Sequence, residues 1–165
     1  MARTVAIGKQ DFASIMENHY FFVDKTEFIR EWWESGDDVT LITRPRRFGK
    51  TLNMSMVNCF FSNRYANRRD LFENLSIWQY ENYQKLQGTY PVIFLSFADV
   101  KQTNYKDAIQ KIKNCIVEAY RNFPQLITWD GFSEGEHRQI MAVTSEMDDV
   151  TAQDALKNLS AWLEH

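Results

Sequence analysis

Two short apolar runs stand out from the pattern of hydrophobic and polar positions along the chain. Residues 39–43 (V-T-L-I-T) and 91–97 (P-V-I-F-L-S-F) are rich in β-branched and aromatic side chains and have the length of buried strands. Proline cannot donate a hydrogen bond to a sheet, so Pro91 fits only at the start of the second run. We therefore predict a buried strand at each of the two positions.

Helical spacing of apolar residues accounts for most of the remaining chain. Asp24 with Glu27, and Ser133 with Glu136, have the spacing of capping boxes, which satisfy free amides at the start of a helix. Pro124 stops the longest helical pattern. The predicted helices cover residues 24–34, 50–61, 68–75, 105–122 and 133–144, and a last helix begins near Thr151.

The order of these elements predicts the class of fold. Strands that alternate with helices are typical of an α/β domain, in which a parallel sheet is flanked by helices. Two strands are fewer than such a sheet usually has. Either residues 63–90 contain a further strand, or the chain is a shortened piece of a larger domain.

Composition narrows the class of protein without identifying an activity. The chain has 165 residues, of which 44% are hydrophobic and 25% charged, as in a globular domain with its own core. It contains no apolar run of the ~18 residues that a membrane span needs. Its first residues lack the apolar run of a secretory signal. Cys59 and Cys115 lie in apolar helical stretches without metal-ligand spacing, which predicts reduced thiols and a cytoplasmic protein.

Charges are unevenly distributed along the chain, although the net charge is only −3. No acidic residue lies between Asp38 and Asp70, and this stretch contains the basic residues Arg44, Arg46, Arg47, Lys50, Arg64, Arg68 and Arg69. A basic segment of this kind needs an anionic partner or an exposed, solvated surface. Phosphate is the first candidate, and a nucleic-acid backbone is the second.

The segment between the first predicted strand and the next helix has the spacing of a phosphate-binding loop. Its sequence R-P-R-R-F-G-K-T (44–51) matches G-x-x-x-x-G-K-[ST] except that Arg44 replaces the first glycine. Gly49 lets the backbone approach a phosphate, Lys50 reaches the terminal phosphates, and the Thr51 hydroxyl ligates Mg²⁺. The start of the helix adds partial positive charge. The predicted nucleotide-binding residues are Arg44, Pro45, Arg46, Arg47, Phe48, Gly49, Lys50, Thr51 and Leu52.

A second metal ligand is expected at the end of an apolar strand, where phosphate-loop proteins place a carboxylate. Asp99 is the only candidate of this kind, because it follows the run L-S-F-A. Val100 and Lys101 come next, so no catalytic glutamate neighbours it. We prefer to interpret Asp99 as a strand-end or loop residue, with Mg²⁺ ligation as the alternative.

Three longer strings carry a resemblance to one protein family. Y-F-F-V-D-K-T (20–26), L-I-T-R-P-R-R-F-G-K-T-L (41–52) and Y-P-V-I-F-L-S-F (90–97) resemble strings of the predicted AAA-ATPase-like family of bacterial and archaeal P-loop proteins. Arg44 in place of glycine is this family's own form of the loop. The resemblance implies a P-loop NTPase-type parallel sheet flanked by helices. It also implies that ATP and Mg²⁺ are ligands and that residues 23–28 lie near the adenine.

The resemblance implies further residues that this chain does not contain. Family members carry a second acidic motif, D-E-Y-D, at the end of an apolar strand that follows a helix resembling 154–165. We therefore expect the chain (1–165) to be the N-terminal part of one P-loop domain, with an incomplete sheet. Its parts would be an N-terminal segment (1–38), the strand, loop and helix (39–62), and the remainder (63–165).

The resemblance also implies what the missing part would supply. Without the second acidic motif, we expect weak or no ATP hydrolysis by this chain, although the full-length parent is expected to be an ATPase. The expected protein partners are a C-terminal nuclease-like domain of the parent protein and further copies of the chain.

A non-catalytic interaction module is the alternative function. In this hypothesis the basic segment 44–69 binds nucleic acid, and the loop is structural. Base-stacking aromatic residues are not interleaved with the basic residues there, and the chain as a whole is acidic. We therefore prefer the nucleotide-binding hypothesis.

Overall fold

The computed structural model describes residues 4–45 and 48–164 of the chain. These residues form two compact units, of which one ends at Val92 and the other begins at Ile93. Helices, turns and irregular segments build both units, and each unit has an apolar core of its own. No helix among the described residues combines the length and the apolar character that crossing a membrane requires.

The first unit is organised around a central helix that follows the predicted phosphate loop. The rings of Phe12 and Phe72 stack with their centroids 5.1 Å apart, and Phe60 meets Phe72 edge to face at 5.1 Å. Such aromatic pairs bury large areas of apolar surface and fix the helices against one another. The helices of this unit are α1 (Phe12–Glu17), α2 (Glu27–Ser35), α3 (Lys50–Phe61) and α4 (Glu81–Leu86), with short 3-10 helices at Asn63–Tyr65, Arg69–Leu71 and Ser76–Gln79.

As far as residue 164, the second unit contains four helices around a separate core. Tyr120 is 9% exposed, and its hydroxyl donates a hydrogen bond to the carbonyl oxygen of Ala155 at 2.7 Å. Phe123, Leu159 and Trp162 pack into the same core. The helices are α5 (Tyr105–Arg121), α6 (Gln125–Thr128), α7 (Glu134–Ala142) and α8 (Asp149–Leu163).

The predicted α/β fold with a P-loop NTPase-type parallel sheet is wrong. Within residues 4–45 and 48–164 there is no strand and no sheet, and the only β-type pairing is an isolated parallel bridge between Ser62 and Tyr90. Residues 39–43 have no regular secondary structure, and Val39 and Leu41 are 86% and 82% exposed.

The physical reason for this error lies in what a strand requires. β-branched residues favour an extended backbone locally, but a strand forms only where a neighbouring backbone exchanges hydrogen bonds with it. Residues 39–43 and 91–97 find no such neighbour among the described residues. Ile93 and Leu95 instead pack, half-buried, against the core of the second unit. The two apolar runs therefore belong to a helical architecture.

Most of the helix predictions are confirmed. α3 covers residues 50–61 as expected, α5 ends one residue before the predicted limit, and the capping box of Ser133 and Glu136 begins α7. The predicted helix at 68–75 is wrong, because only the 3-10 helix Arg69–Leu71 forms there. The last helix begins at Asp149 and not near Thr151, since the Asp148 carboxylate accepts from the Thr151 amide at 2.7 Å.

The predicted capping box of Asp24 and Glu27 is also wrong. α2 begins at Glu27, and Thr26 occupies the cap position without a side-chain cap hydrogen bond. Glu27 pairs with Arg30 at 2.9 Å instead of reaching back to the cap amide. The Asp24 carboxylate binds Ser76, which is distant in sequence. The contact between Asp24 and Ser76 therefore replaces the local capping box that the sequence pattern predicts.

Both cysteines are free thiols. Cys59 is 1% exposed in the first core, where burial raises the pKa of its thiol to about 11. Burial also raises the pKa of the neighbouring Tyr65 hydroxyl to about 12. The Cys59 thiol is therefore uncharged at neutral pH and behaves as a small apolar side chain.

Candidate functional site

The predicted phosphate loop ends in a glycine with a left-handed backbone. Gly49 has φ 74° and ψ 18°, and α3 begins at the next residue. A Cβ atom at Gly49 would meet no backbone within 4 Å, so the position requires glycine for its backbone conformation and not for space. The Asn53 amide bonds to the Gly49 carbonyl at 2.9 Å, as in the first turn of a helix. The amides that precede Asn53 in α3 have no intrahelical partner, and amides of this kind can bind an anion.

The Lys50 side chain turns back into the loop. Its ammonium donates to the carbonyl oxygen of Arg44 and lies 3.5 Å from that of Pro45. The amine thus lies beside the carbonyls with which the predicted phosphate loop begins. Thr51 is exposed beside it, which leaves its hydroxyl accessible.

The structure describes only some of the remaining predicted loop residues. Arg44 and Pro45 are exposed, Phe48 is 59% exposed, and Leu52 is half-buried. Arg46 and Arg47 lie outside the described residues, so their phosphate contacts stay predictions.

Two adjoining cavities meet at the start of α3. One has a volume of about 610 Å³ and the other about 430 Å³. They share four lining residues, Ala6, Lys9, Gly49 and Leu52. The larger cavity is lined by Gly49, Lys50 and Thr51 on one side of the sequence and by residues 6–10 on the other. The smaller one has an apolar wall, to which Val5, Phe21, Val23 and Phe48 contribute.

Both cavities are lined by cations and, among the described residues, by no carboxylate. Lys9, Lys25 and Lys50 all contribute to the lining. A Cβ atom built on Gly49 would lie 4.0 Å from Lys25 Nζ, which shows how close this amine is to the loop backbone. Positive charge without a counter-ion in a cleft attracts an anionic ligand. Sequence reasoning missed Lys9. It expected Lys25 only as part of the segment 23–28 near the adenine and not as a cation beside the loop, because only the folded chain brings residues 5–25 beside residues 48–53.

The segment that carries Lys25 is held by a dense set of hydrogen bonds. One Asp24 carboxylate oxygen accepts from the amide and the hydroxyl of Thr26, at 2.9 and 2.7 Å. The other oxygen accepts from the amide and the hydroxyl of Ser76, at 2.7 and 2.6 Å. Thr26 is fully buried, and its hydroxyl oxygen accepts from the Ile77 amide at 3.1 Å. We call Asp24, Thr26, Ser76 and Ile77 the Asp24 clamp.

The clamp stabilises the charged form of Asp24. Partial burial by itself would raise the pKa of this carboxyl group, but the hydrogen bonds from Ser76 and Thr26 outweigh burial and hold the pKa below its usual range. Asp24 is therefore ionised at neutral pH, and both of its oxygens are engaged with the clamp.

Only the loop offers a predicted metal ligand in the first unit. The described residues contain no group of three or more His, Cys, Asp or Glu side chains that could hold a metal ion. The Thr51 hydroxyl fits a Mg²⁺ ion that keeps most of its ligands from water and from nucleotide phosphates. Asp99 belongs to the other unit, where it is exposed in a turn. Its role as a metal ligand stays a prediction.

The basic segment 44–69, which the alternative hypothesis assigns to nucleic acid, is partly engaged within the protein. Arg68 forms ion pairs with Glu17 at 2.8 Å and with Asp70 at 3.0 Å. The hydrogen bonds that Arg68 donates to Asp70 and Glu17 raise the pKa of its guanidinium above its usual value. Arg64 and Arg69 are exposed. Nucleic-acid binding stays a prediction, although the carboxylate partners of Arg68 compete with a phosphate backbone for this side chain.

Comparison with known proteins identifies relatives of the chain. No solved structure matches it. A protein of Azotobacter chroococcum mcd 1 named "Uncharacterized protein in vnfD 5'region" is 34% identical over 96 residues. That match covers 58% of this chain and 17% of the relative, so the chain corresponds to a small part of that protein. The sequence profile of a family described as Predicted AAA-ATPase matches residues 6–162. The chain belongs to this predicted AAA-ATPase family.

Proposed function

We propose that the chain binds ATP with Mg²⁺, and that residues 44–52 hold the nucleotide phosphates. The observation that carries the proposal is the junction at Gly49, where a left-handed glycine begins α3 and Lys50 turns its amine into the loop. Amides of Lys50 and Thr51 and the partial positive charge of α3 would bind phosphate oxygens. Membership of a predicted ATPase family supports ATP as the ligand.

Lys50 and Thr51 have separate roles in this proposal. The Lys50 ammonium would move from the carbonyls of Arg44 and Pro45 to the β- and γ-phosphate oxygens. The Thr51 hydroxyl would ligate Mg²⁺, and phosphate oxygens and water would supply the other ligands. Mg²⁺ would then neutralise part of the phosphate charge.

The smaller cavity is our proposed site for the adenine. Its apolar wall of Val5, Phe21, Val23 and Phe48 suits the faces of an aromatic base. It shares Gly49 with the larger cavity, so a ligand with a base and a phosphate chain could occupy both. Turnover is not part of the proposal. Weak or absent hydrolysis by this chain stays a prediction, as does an ATPase activity of a longer parent protein.

Titration calorimetry with Mg·ATP tests the proposal. We expect wild-type protein to bind and Lys50→Ala to weaken the affinity by about tenfold or more, because a hydrogen bond to a charged group is lost. Lys111→Ala is the matched control, since Lys111 is exposed on α5 in the other unit and the substitution removes the same charge. Absence of Mg·ATP binding, or equal affinities of Lys50→Ala and wild type, would refute the proposal.

A further inference from the structure

Lys25 occupies an unusual position beside the phosphate loop. It is contributed by the segment before α2, whereas the loop precedes α3, yet its amine lies only 4.0 Å from where a Cβ atom on Gly49 would stand. Lys25 lines the smaller cavity, and Gly49 lines both cavities. A ligand that extended from one cavity to the other past Gly49 would therefore come close to this amine.

Lys25 and Lys9 differ in what their amines already bind. Lys9 Nζ donates to Ser14 Oγ at 3.0 Å and lies 5.0 Å from the centre of the Tyr20 ring. Among the described residues, the Lys25 ammonium forms no hydrogen bond and no ion pair. The Lys25 amine therefore needs no exchange of partners to bind an anion, whereas the Lys9 amine does.

The acidic neighbour of Lys25 does not neutralise it. Both carboxylate oxygens of Asp24 accept two hydrogen bonds each from the Asp24 clamp. The buried Thr26 side chain fixes the other neighbour of Lys25 to the Ile77 amide. The clamp thus holds the residues on both sides of an exposed lysine, and Asp24 does not line either cavity.

We propose that Lys25 is a second phosphate-binding cation of the site, and that Asp24 is a positioning residue that holds it beside Gly49. This inference rests on the proposed nucleotide binding and adds to it a contact from outside the 44–52 loop. The ligand class it favours is a nucleotide with at least two phosphates, since a chain of that length can contact Lys50 and Lys25 together. No covalent step is involved.

Calorimetry on Lys25→Met and Lys25→Arg tests the contact with phosphate. We expect Lys25→Met to weaken Mg·ATP binding by about tenfold, to flatten its dependence on salt concentration, and to change adenosine binding by less than about twofold. Lys25→Arg should restore most of the affinity, because the charge is retained. Lys9→Met, which removes a lysine already bound to Ser14, should have the smaller effect on Mg·ATP.

A double-mutant cycle tests the positioning role of Asp24. Asp24→Asn should weaken Mg·ATP binding in the wild-type background and have little further effect when Lys25 is Met, because both changes act through one amine. Additive losses of affinity would show that Asp24 acts independently of Lys25, for example through the stability of the fold, and would overturn the positioning role.

Lysine labelling of the unaltered protein keeps the inference testable if a variant fails to fold. With an amine acylating reagent and mass spectrometry, we expect Mg·ATP to protect Lys25 and to leave Lys111 unprotected. Wild-type Mg·ATP binding with an unprotected Lys25, or with full affinity in Lys25→Met, would overturn this inference and leave the proposed function standing. No Mg·ATP binding by the wild type would overturn both.

Discussion

Gly49 shows at the scale of one residue how the loop and α3 are joined. Its positive φ is a conformation that residues with a Cβ atom adopt at a cost of about 1–2 kcal/mol. α3 begins at the next residue, so this conformation sets the direction in which the helix leaves the loop. The glycine was recognisable from the G-K-T string. Lys9 and Lys25 were not recognisable as cations beside the loop, because they come from distant parts of the sequence.

A glycine substitution separates the structural and ligand-binding roles of this residue. We expect Gly49→Ala to lower the free energy of unfolding by about 1–2 kcal/mol, measured by chemical denaturation, and to weaken Mg·ATP binding. Gly36→Ala is the control, because Gly36 has φ 65° at the end of α2 and space for a Cβ atom. It should lose similar stability without losing affinity. Equal affinity of Gly49→Ala and wild type would contradict a functional role for the left-handed cap.

At the scale of elements, α3 connects the candidate site with the core of the first unit. Its N-terminus carries Lys50 and Thr51, while Met56 and Phe60 are fully buried. The Phe12 amide, at the start of α1, donates to Ser55 Oγ at 3.0 Å. This bond joins α1 to the same helix that carries the loop.

Ser55→Ala should destabilise the first unit. The substitution leaves the buried Phe12 amide without its acceptor, and an unsatisfied buried group costs about 1–3 kcal/mol. Chemical denaturation followed by tryptophan fluorescence measures the loss. Ser160→Ala, at an exposed position of α8, should change the free energy of unfolding by less than about 0.5 kcal/mol. A Ser55→Ala protein as stable as the control would show that the Phe12 amide finds another acceptor.

Elements with strong local signals could be predicted from the sequence, and elements that depend on distant partners could not. α3 and α5 have apolar residues at helical spacing, and the Ser133 capping box lies within four residues. The two apolar runs at 39–43 and 91–97 have strand-like composition, but pairing with another backbone decides whether a strand forms. The predicted Asp24 capping box also failed because of a distant partner: the hydroxyl of Ser76, which is distant in sequence, donates a hydrogen bond to the Asp24 carboxylate.

At the scale of the whole molecule, the candidate site belongs to only one of the two units. Every described residue that lines the two cavities of the candidate site belongs to the first unit. The second unit has its own core around Tyr120 and Leu159. The division itself could not be predicted, because helical spacing alone does not indicate which helices share a core.

Amide hydrogen exchange tests whether the effect of Mg·ATP binding is confined to the first unit. On addition of Mg·ATP, we expect slower exchange in the cavity-lining segments 5–10, 21–25 and 48–53, because the ligand would bind amides and restrict opening there. Exchange in α5 and α8 should stay unchanged. Comparable protection of α5 or α8 would show that the second unit takes part in nucleotide binding.

In the ligand-free protein the Lys50 ammonium already bonds to the carbonyls of Arg44 and Pro45, so these carbonyls would compete with a phosphate for the ammonium. A phosphate that bound Lys50 would have to replace backbone oxygens that already accept from the ammonium. The affinity for such a ligand would therefore reflect the difference between two bound states of one amine, and it would be lower when fewer molecules have the amine released. Replacing Lys50 removes a contact from the free as well as the bound protein, so the change in affinity understates the strength of the phosphate contact.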